Sequence, residues 1–359
     1  MKHLIDPTDL SKNEIDDILA LAEDIIAKPE CYHDCLRYHK LATLFYEPST
    51  RTRLSFTSAM MELGGNVLGF SDAKNSSVSK GETVADTVRV VENFADIIAM
   101  RHNLEGAPYI ASTVAGVPII NAGDGSHAHP TQTLTDLLTI KRELGHIDNI
   151  TIGFCGDLKF GRTVHSLIKA LSRYEGVKVV LIAPDELRLP DYIKHDVCEK
   201  MNVDYREVKT IEDVISELDV LYMTRVQKER FLEEEEFDRV KDSFVLDLEK
   251  LKPAKKNMAI LHPLPRVNEI KPEVDADPRA AYFRQVGNGK YVRMALIYSL
   301  LKWKNDPSHV MPEHPDFFVD VEMQCHNSKC ICNHEPAPRL FRHTPGGHIR
   351  CAYCDSFIK

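Results

Sequence analysis

Between Leu41 and Leu261 short apolar runs alternate with stretches of helical periodicity, and this restricts the chain to mostly parallel sheets covered by helices. The runs Leu41–Phe45, Val67–Phe70, Ile97–Met100 and Val117–Ile120 read as strands, with helices near 52–63, 83–94, 106–115 and 131–143. A first helix is announced by Ser11-Lys12-Asn13-Glu14, a capping box ahead of Ile15, Ile18, Leu19, Ala22, Ile25 and Ile26. The pattern restarts at Ile150–Cys155 and continues through Val179–Ile182, Val220–Met223, Phe244–Leu246 and Met258–Leu261. A second α/β domain is the economical reading, closed by an apolar helix at Tyr291–Trp303, and two such domains facing one another make a cleft. Glu233–Glu236 reads as a solvated helical face. Asn305–Pro315 has prolines at 307, 312 and 315 and no helical period, so it reads as a linker.

In parallel sheets ligands bind beyond the carboxyl ends of the strands. The first such end is followed by Glu47-Pro48-Ser49-Thr50-Arg51-Thr52-Arg53, and Leu54, Phe56, Met60, Met61 and Leu63 then continue on helical spacing to Gly64-Gly65. Hydroxyls and guanidiniums at a strand-to-helix turn form an anion cradle. The first helical N–H groups lack intrahelical acceptors, the dipole favours negative charge, and an arginine grips two oxygens at once. A phosphate ester fits best. The other polar stretches after strands are Ser76–Glu82, Arg101-His102, Gly123–Gln132, Thr224–Gln227 and His262–Arg266. His129 with Gln132, in a glycine-rich turn, suits donation to a carbonyl oxygen; Arg101 follows a strand directly, and His127 stays unassigned. Leu264-Pro265 is a candidate cis bond. The site is rich in cations and donors but has no nucleophile and no paired acid and base. That pattern suits a reaction whose substrates supply nucleophile and leaving group while the protein orients them and stabilises charge.

With 359 residues, 43% of them hydrophobic, the chain has room for two domains and a small third. A net charge of −9 provides no basic footprint for nucleic acid or an anionic membrane, so an anion must be held by local cations. Without an apolar leader or a long apolar run, the chain reads as neither secreted nor membrane-spanning, and cytoplasmic. Gly156-x4-Gly161-Arg162-Thr163 approaches a nucleotide-binding loop, but arginine replaces the lysine that chemistry needs. Cysteines crowd the last stretch: Cys325-x4-Cys330-x20-Cys351-x2-Cys354 has the spacing of a closed, tetrahedral, structural zinc site, one per chain, with Cys332 left unliganded.

Pro48–Arg53, His129-Pro130-Thr131-Gln132, Gly156–Thr163, Arg225-Val226-Gln227 and His262-Pro263-Leu264-Pro265, in this order over about residues 1–304, resemble the catalytic chain of aspartate carbamoyltransferase. Ornithine-specific relatives carry a cysteine in the turn where this chain has His262-Pro263-Leu264-Pro265. Arg225 also offers a cation for a side-chain carboxylate, so aspartate is favoured over ornithine. The resemblance implies carbamoyl transfer from carbamoyl phosphate to L-aspartate, the first committed step of pyrimidine synthesis, with no cofactor consumed. It implies that Ser49, Thr50, Arg51 and Thr52 hold the phosphate, that Thr52, Arg101 and His129 polarise the carbonyl oxygen, and that Gln132 and the carbonyls of Pro263 and Leu264 orient the carbamoyl NH2. Arg162, Arg225 and Gln227 would take the carboxylates of aspartate. Ser77 and Lys80 would enter a neighbouring subunit's site, making a homotrimer and leaving open whether trimers pair further; Ser76 competes with Ser77 for that role because the loop is a residue short.

The domains implied are 1–130 for carbamoyl phosphate, completed by helix 291–304, and 131–290 for aspartate, then a linker over 305–320 and a zinc domain over 321–359. Cys325–Ile331, Asn333–Pro336 and Cys351–Cys354 resemble the zinc domain of the separate regulatory chain of bacterial aspartate carbamoyltransferase, without its nucleotide-binding domain. The tail therefore reads as a fused docking module. No separate regulatory chain and no nucleotide control are expected, and the chemistry is expected to survive loss of the tail. The competing reading, a zinc ribbon for nucleic acid, rests on Arg339, Arg342, His343 and Arg350 without an aromatic ladder.

Overall fold

The computed structural model describes residues 1–72, 77–226, 244–344 and 347–358. Two compact units form: Met1–Leu134 with Gly289–Lys359, and Thr135–Asn288.

In the first unit α1 (Lys12–Ala27) starts at Ser11, whose side chain accepts the Glu14 N–H while Glu14 reaches back to the Ser11 N–H. Four strands, β1 (Lys40–Phe45), β2 (Asn66–Phe70), β3 (Ile97–His102) and β4 (Ile119–Asp124), lie parallel in the order β2-β1-β3-β4. Every residue of β3 and β4 is buried, as expected of strands covered on both faces. Register decides what meets at the carboxyl edge. Phe45 pairs with Arg101, so the turn after β1 and the arginine ending β3 are neighbours. The covering helices are α2 (Thr50–Glu62), α3 (Val84–Val91), α4 (Ala107–Val114) and the start of α5 (Pro130–Leu144).

The second unit is a parallel sheet of β5 (Thr151–Cys155), β6 (Lys178–Ile182), β7 (Asp204–Val208), β8 (Val220–Met223) and β9 (Ala259–Leu261), ordered β7-β6-β5-β8-β9. Helix α6 (Arg162–Leu171) follows β5. Phe244–Leu246 is no strand; Leu246 makes a single parallel bridge to Ile270. The closing helix begins at Tyr282, not Tyr291, and runs to Trp303. Gly287 and Gly289 dilute the apolar period of its first half. Glu233–Glu236 lies outside the described residues.

The cysteine-bearing tail is an antiparallel sheet, β10 (Phe317–Val319), β11 (Leu340–His343) and β12 (Ile349–Cys351), seated on the first unit. Cys325, Cys330, Ile331, Cys351, Tyr353 and Cys354 share one buried cluster with Val84, Val88, Met100, Ile110 and Ala111. Glu105 and Cys330 make a parallel bridge, and both Glu335 carboxylate oxygens accept the Val84 N–H that opens α3, at 2.9 and 2.8 Å. Gly106 sits at φ +82°, and a Cβ there would stand 2.6 Å from the Cβ of Tyr353, so only glycine permits this approach. The proline-rich segment is irregular but pinned. His309 stacks on Trp303 with centroids 4.2 Å apart and bonds Glu14 at 2.9 Å, while Lys2 donates to the Val310 carbonyl at 3.0 Å. No helix among the described residues is long and apolar enough to cross a membrane.

Candidate active site and metal centre

Helix α2 opens where β1 ends, with Ser49 in the N-cap position; its backbone is extended and its hydroxyl makes no capping bond. The bond with which such a hydroxyl ordinarily serves the first helical N–H groups is not made here. Thr50 and Arg51 are exposed, Arg53 is half-buried, and Thr52 is buried.

Arg101 is nine-tenths buried and pairs with Glu47 at 2.9 Å. Burial lowers its pKa and the Arg51 charge adds to that, whereas Glu47 opposes them. The charges of exposed Arg51 and buried Arg101 thus repel one another, which an anion would relieve. Gly123, at φ +118°, makes room: a Cβ there would stand 2.9 Å from Arg101 Nη1 and 3.5 Å from His129 Cδ2. Arg101, near the end of β3, and His129, just before α5, therefore lie over the same glycine. His129 is buried, with Nδ1 3.5 Å from the Thr131 hydroxyl, and its carbonyl accepts the N–H groups of Gln132 and Thr133 at the first turn of α5. Gln132 is half-buried on that turn.

Asp124, fully buried, organises the segment before His129. Its carboxylate accepts from Ala128 N (3.0 Å), Asn121 Nδ2 (2.9 Å) and Gly106 N (2.8 Å), and holds His127 Nδ1 at 3.0 Å. Ser77 and Lys80 are exposed on a 3-10 turn, Ser77–Lys80; Ser76 lies outside the described residues.

In the second unit the neighbouring strands β5, β8 and β9 end in the other predicted residues. Gly156 follows β5 at φ +113°, where a Cβ would stand 2.3 Å from the Thr224 carbonyl. Thr224 locks the two strand ends together: its hydroxyl donates to the Cys155 carbonyl at 3.0 Å and accepts the Asp157 N–H at 2.9 Å. Asp157 in turn accepts the Phe160 N–H, shaping the turn that delivers Arg162 to the start of α6, while Arg225 directly follows Thr224. Both arginines are half-buried. Gln227 lies outside the described residues.

After β9, the Leu264-Pro265 bond is cis and Leu264 adopts φ 53°. The Leu264 N–H donates to His262 Nδ1 at 2.8 Å, which leaves the ring proton on Nε2 for Glu269, 2.7 Å away. This fixes the backbone of Pro263 and Leu264, whose carbonyls are the predicted acceptors. Glu47, Asp124 and Thr224 fall within the polar stretches singled out from the sequence but were given no role there, and Glu269 lies outside all of them.

The metal centre is built from Cys325, Cys330, Cys351 and Cys354, all buried, with sulfurs within 4.8 Å of one another. Cys325 and Cys354 are 3.6 Å apart, Cys330 and Cys351 3.7 Å. A tetrahedral ion with metal–sulfur bonds of about 2.3 Å places its ligands about 3.8 Å apart, so the four thiols fit one closed centre. Cys332, half-buried, lies 3.3 Å from Cys330 and outside this group.

Three stretches of the chain match known families. Residues 2–142 match the family "Aspartate/ornithine carbamoyltransferase, carbamoyl-P binding domain", residues 148–300 its "Asp/Orn binding domain", and residues 319–359 "Aspartate carbamoyltransferase regulatory chain, metal binding domain". The chain is 64% identical to an aspartate carbamoyltransferase catalytic subunit of Lachnoclostridium phytofermentans over 84% of its own length and 98% of the relative's, and 63% identical, with the same coverage, to one of Clostridium acetobutylicum. Among solved structures it resembles the M. jannaschii catalytic subunit with TM-score 0.79 and 49% identity, covering 86% of this chain and 100% of that one. A Trypanosoma cruzi aspartate transcarbamoylase in complex with carbamoyl phosphate and aspartate has TM-score 0.79 and 40% identity, covering 83% and 96%.

Proposed function

The chain belongs to the aspartate carbamoyltransferase family, with a regulatory-type metal domain fused behind the catalytic part, and from that premise we propose how its residues divide the reaction. The enzyme transfers the carbamoyl group of carbamoyl phosphate to L-aspartate. The amino nitrogen attacks the carbonyl carbon, the C–O bond to phosphate breaks, and the amine gives up a proton as N-carbamoyl-L-aspartate and phosphate form.

Ser49, Thr50, Arg51 and Thr52 hold the phosphate at the start of α2, and Arg51 stabilises the charge that grows on it. Thr52, Arg101 and His129 donate to the carbonyl oxygen as it becomes an oxyanion. Gln132 and the carbonyls of Pro263 and Leu264 orient the NH2 group. Arg162, Arg225 and Gln227 take the two carboxylates of aspartate, and Ser77 and Lys80 act in a neighbouring subunit of a homotrimer. The observation carrying this reading is the meeting of Arg101 and His129 over Gly123 at the edge where α2 begins. In the tail, Cys325, Cys330, Cys351 and Cys354 hold one structural zinc: four thiolates suit that ion and leave no position for substrate. Arg339 donates to the carbonyls of Val321 and Met323, and Arg342 and Arg350 bond Asp355, which speaks against a nucleic-acid surface.

The test is to supply the purified full chain with carbamoyl phosphate and either L-aspartate or L-ornithine and to measure phosphate and carbamoylated product. Carbamoyl-aspartate with aspartate alone is expected. Product with ornithine and none with aspartate would overturn the substrate assignment.

A further inference from the structure

Two carboxylate-centred links run from the metal-binding tail to the turn that carries His129, and the reaction as described above uses neither. In the first, the Asp355 carboxylate lies 3.5 Å from His127 Nε2, and His127 Nδ1 lies 3.0 Å from Asp124. In the second, Asn327 Nδ2 donates to Glu105 Oε2 at 2.7 Å while Glu105 Oε1 accepts the Ser126 N–H at 3.0 Å. Both converge on residues 124–128. Asp124 also accepts the N–H of Ala128, the residue before His129, so a shift of His127 or Ser126 moves the backbone from which His129 projects.

We propose that Asp355 and Asn327 are positioning residues for carbamoyl transfer, holding His129 in place through His127 and Glu105 across the interface between tail and catalytic part. The inference rests on His129 donating to the carbonyl oxygen, as assigned above.

The surroundings make these links stiff. Asp124 is fully buried, Glu105 nearly so and His127 half-buried, and Gly125 at φ +52° lets Glu105 Cγ approach to where a Cβ would be 2.6 Å away. Burial alone would lower the pKa of His127, but the carboxylates of Asp124 and Asp355 on either side of the ring raise it well above the usual value. Glu105 is further tied by its backbone, donating to the Lys329 carbonyl at 2.9 Å and accepting the Ile331 N–H at 3.0 Å. Asp355 is itself aimed by Arg342 at 2.9 Å and by its carbonyl on Arg350 at 2.7 Å. The tail is then part of the catalytic scaffold, which departs from the expectation that the chemistry survives its loss.

The experiment uses the full, metal-replete chain and compares Asp355→Ala, Asp355→Glu, His127→Ala, Asn327→Ala and the double variant of 127 and 355, with His129→Ala as reference. Asp355→Ala should lower kcat about tenfold, below the ~10²-fold that a 1 Å misplacement can cost, with KM for aspartate within about twofold. Hydrogen exchange of the backbone at 124–129 should quicken, metal content should stay unchanged, and Asp355→Glu should recover part of kcat. The His127→Ala and Asp355→Ala losses should not multiply, because one contact carries both. If Asp355→Ala sheds metal or fails to fold, His127→Ala and Glu105→Gln, on the catalytic side, decide in the same way. Unchanged kcat and exchange in those variants, or losses that multiply, overturn the proposal while His129→Ala still collapses activity; an active His129→Ala would instead overturn the role assigned to His129.

Discussion

His262 and Glu269 form a buried pair, Nε2 to Oε1 at 2.7 Å, in which the imidazole is fixed from both sides because its Nδ1 already accepts the Leu264 N–H. The carboxylate also accepts Val267 and Asn268 N–H groups at 2.9 and 3.1 Å, so one side chain holds the whole turn after β9.

Glu269 should govern acid stability of the second unit. Burial raises its pKa, but the bonds from His262 and Val267 outweigh this and hold it below the ordinary 4.5. A carboxyl lowered in the folded state stabilises it above the ordinary value, and that contribution is lost as pH falls through the lowered one. Glu269→Gln should therefore flatten the loss of stability below about pH 5 in urea unfolding. Glu269→Ala should cost about 2–3 kcal/mol at neutral pH, chiefly from the stranded His262 donor. A variant as stable as the parent at pH 7 would show that the pair does not hold the turn.

Gly123→Ala is expected to be far more damaging than a methyl group suggests. The backbone at φ +118° disfavours a side chain by about 1–3 kcal/mol, and the new Cβ would press on Arg101 at 2.9 Å. Steady-state kinetics should show a fall in kcat, with aspartate saturation less affected; an unchanged kcat would mean that Arg101 does not act from this position.

Arg51→Ala should lower kcat by about 10²–10³, the effect of losing a preorganised donor on developing charge. Lys80→Ala should likewise be inactive if Lys80 works in a neighbour's site. Mixed assemblies of the two inactive chains should regain activity, because some sites then contain both native residues. Verified hybrids that stay inactive would refute the shared geometry.

Metal analysis of protein purified without chelator should find one zinc per chain. Cys351→Ser or a strong chelator should unfold the tail, since a closed thiolate site couples metal binding to folding. Near-ultraviolet circular dichroism of Tyr353 and Phe341, both buried in the tail, reports this directly. A tail spectrum indifferent to chelation would overturn the structural role of the metal.

The fold was legible where apolar pattern and burial coincide. Val220–Met223 is read to the residue, and β1, β5 and β6 each differ by one position. Asp204–Val208 was missed because it is an edge strand with three of its five residues exposed, so its Asp-Tyr-Arg-Glu-Val sequence has no apolar run. The tail's strands are similarly short, three to four residues, and their packing depends on cysteines and on the first unit rather than on alternation. In the candidate site, the polar residues announce themselves through contiguous motifs. Their supports do not: Asn327 meets Glu105 from 222 residues away, and Glu47 meets Arg101 only because β1 and β3 share a register. Such pairings are properties of the folded sheet edge and leave no local trace.

The pinned segment between Trp303 and the tail has a consequence for how the tail responds to dilution. Stacked His309, the Lys2 bond to Val310 and the chain itself keep the docking module next to its seat, at an effective concentration in about the millimolar range for a short tether. A module on a separate polypeptide would leave when the protein is diluted below its dissociation constant. Here re-docking is unimolecular, so an interface whose dissociation constant lies well below that effective concentration stays occupied at any protein concentration, and selection on its contacts can serve their geometry instead of their affinity.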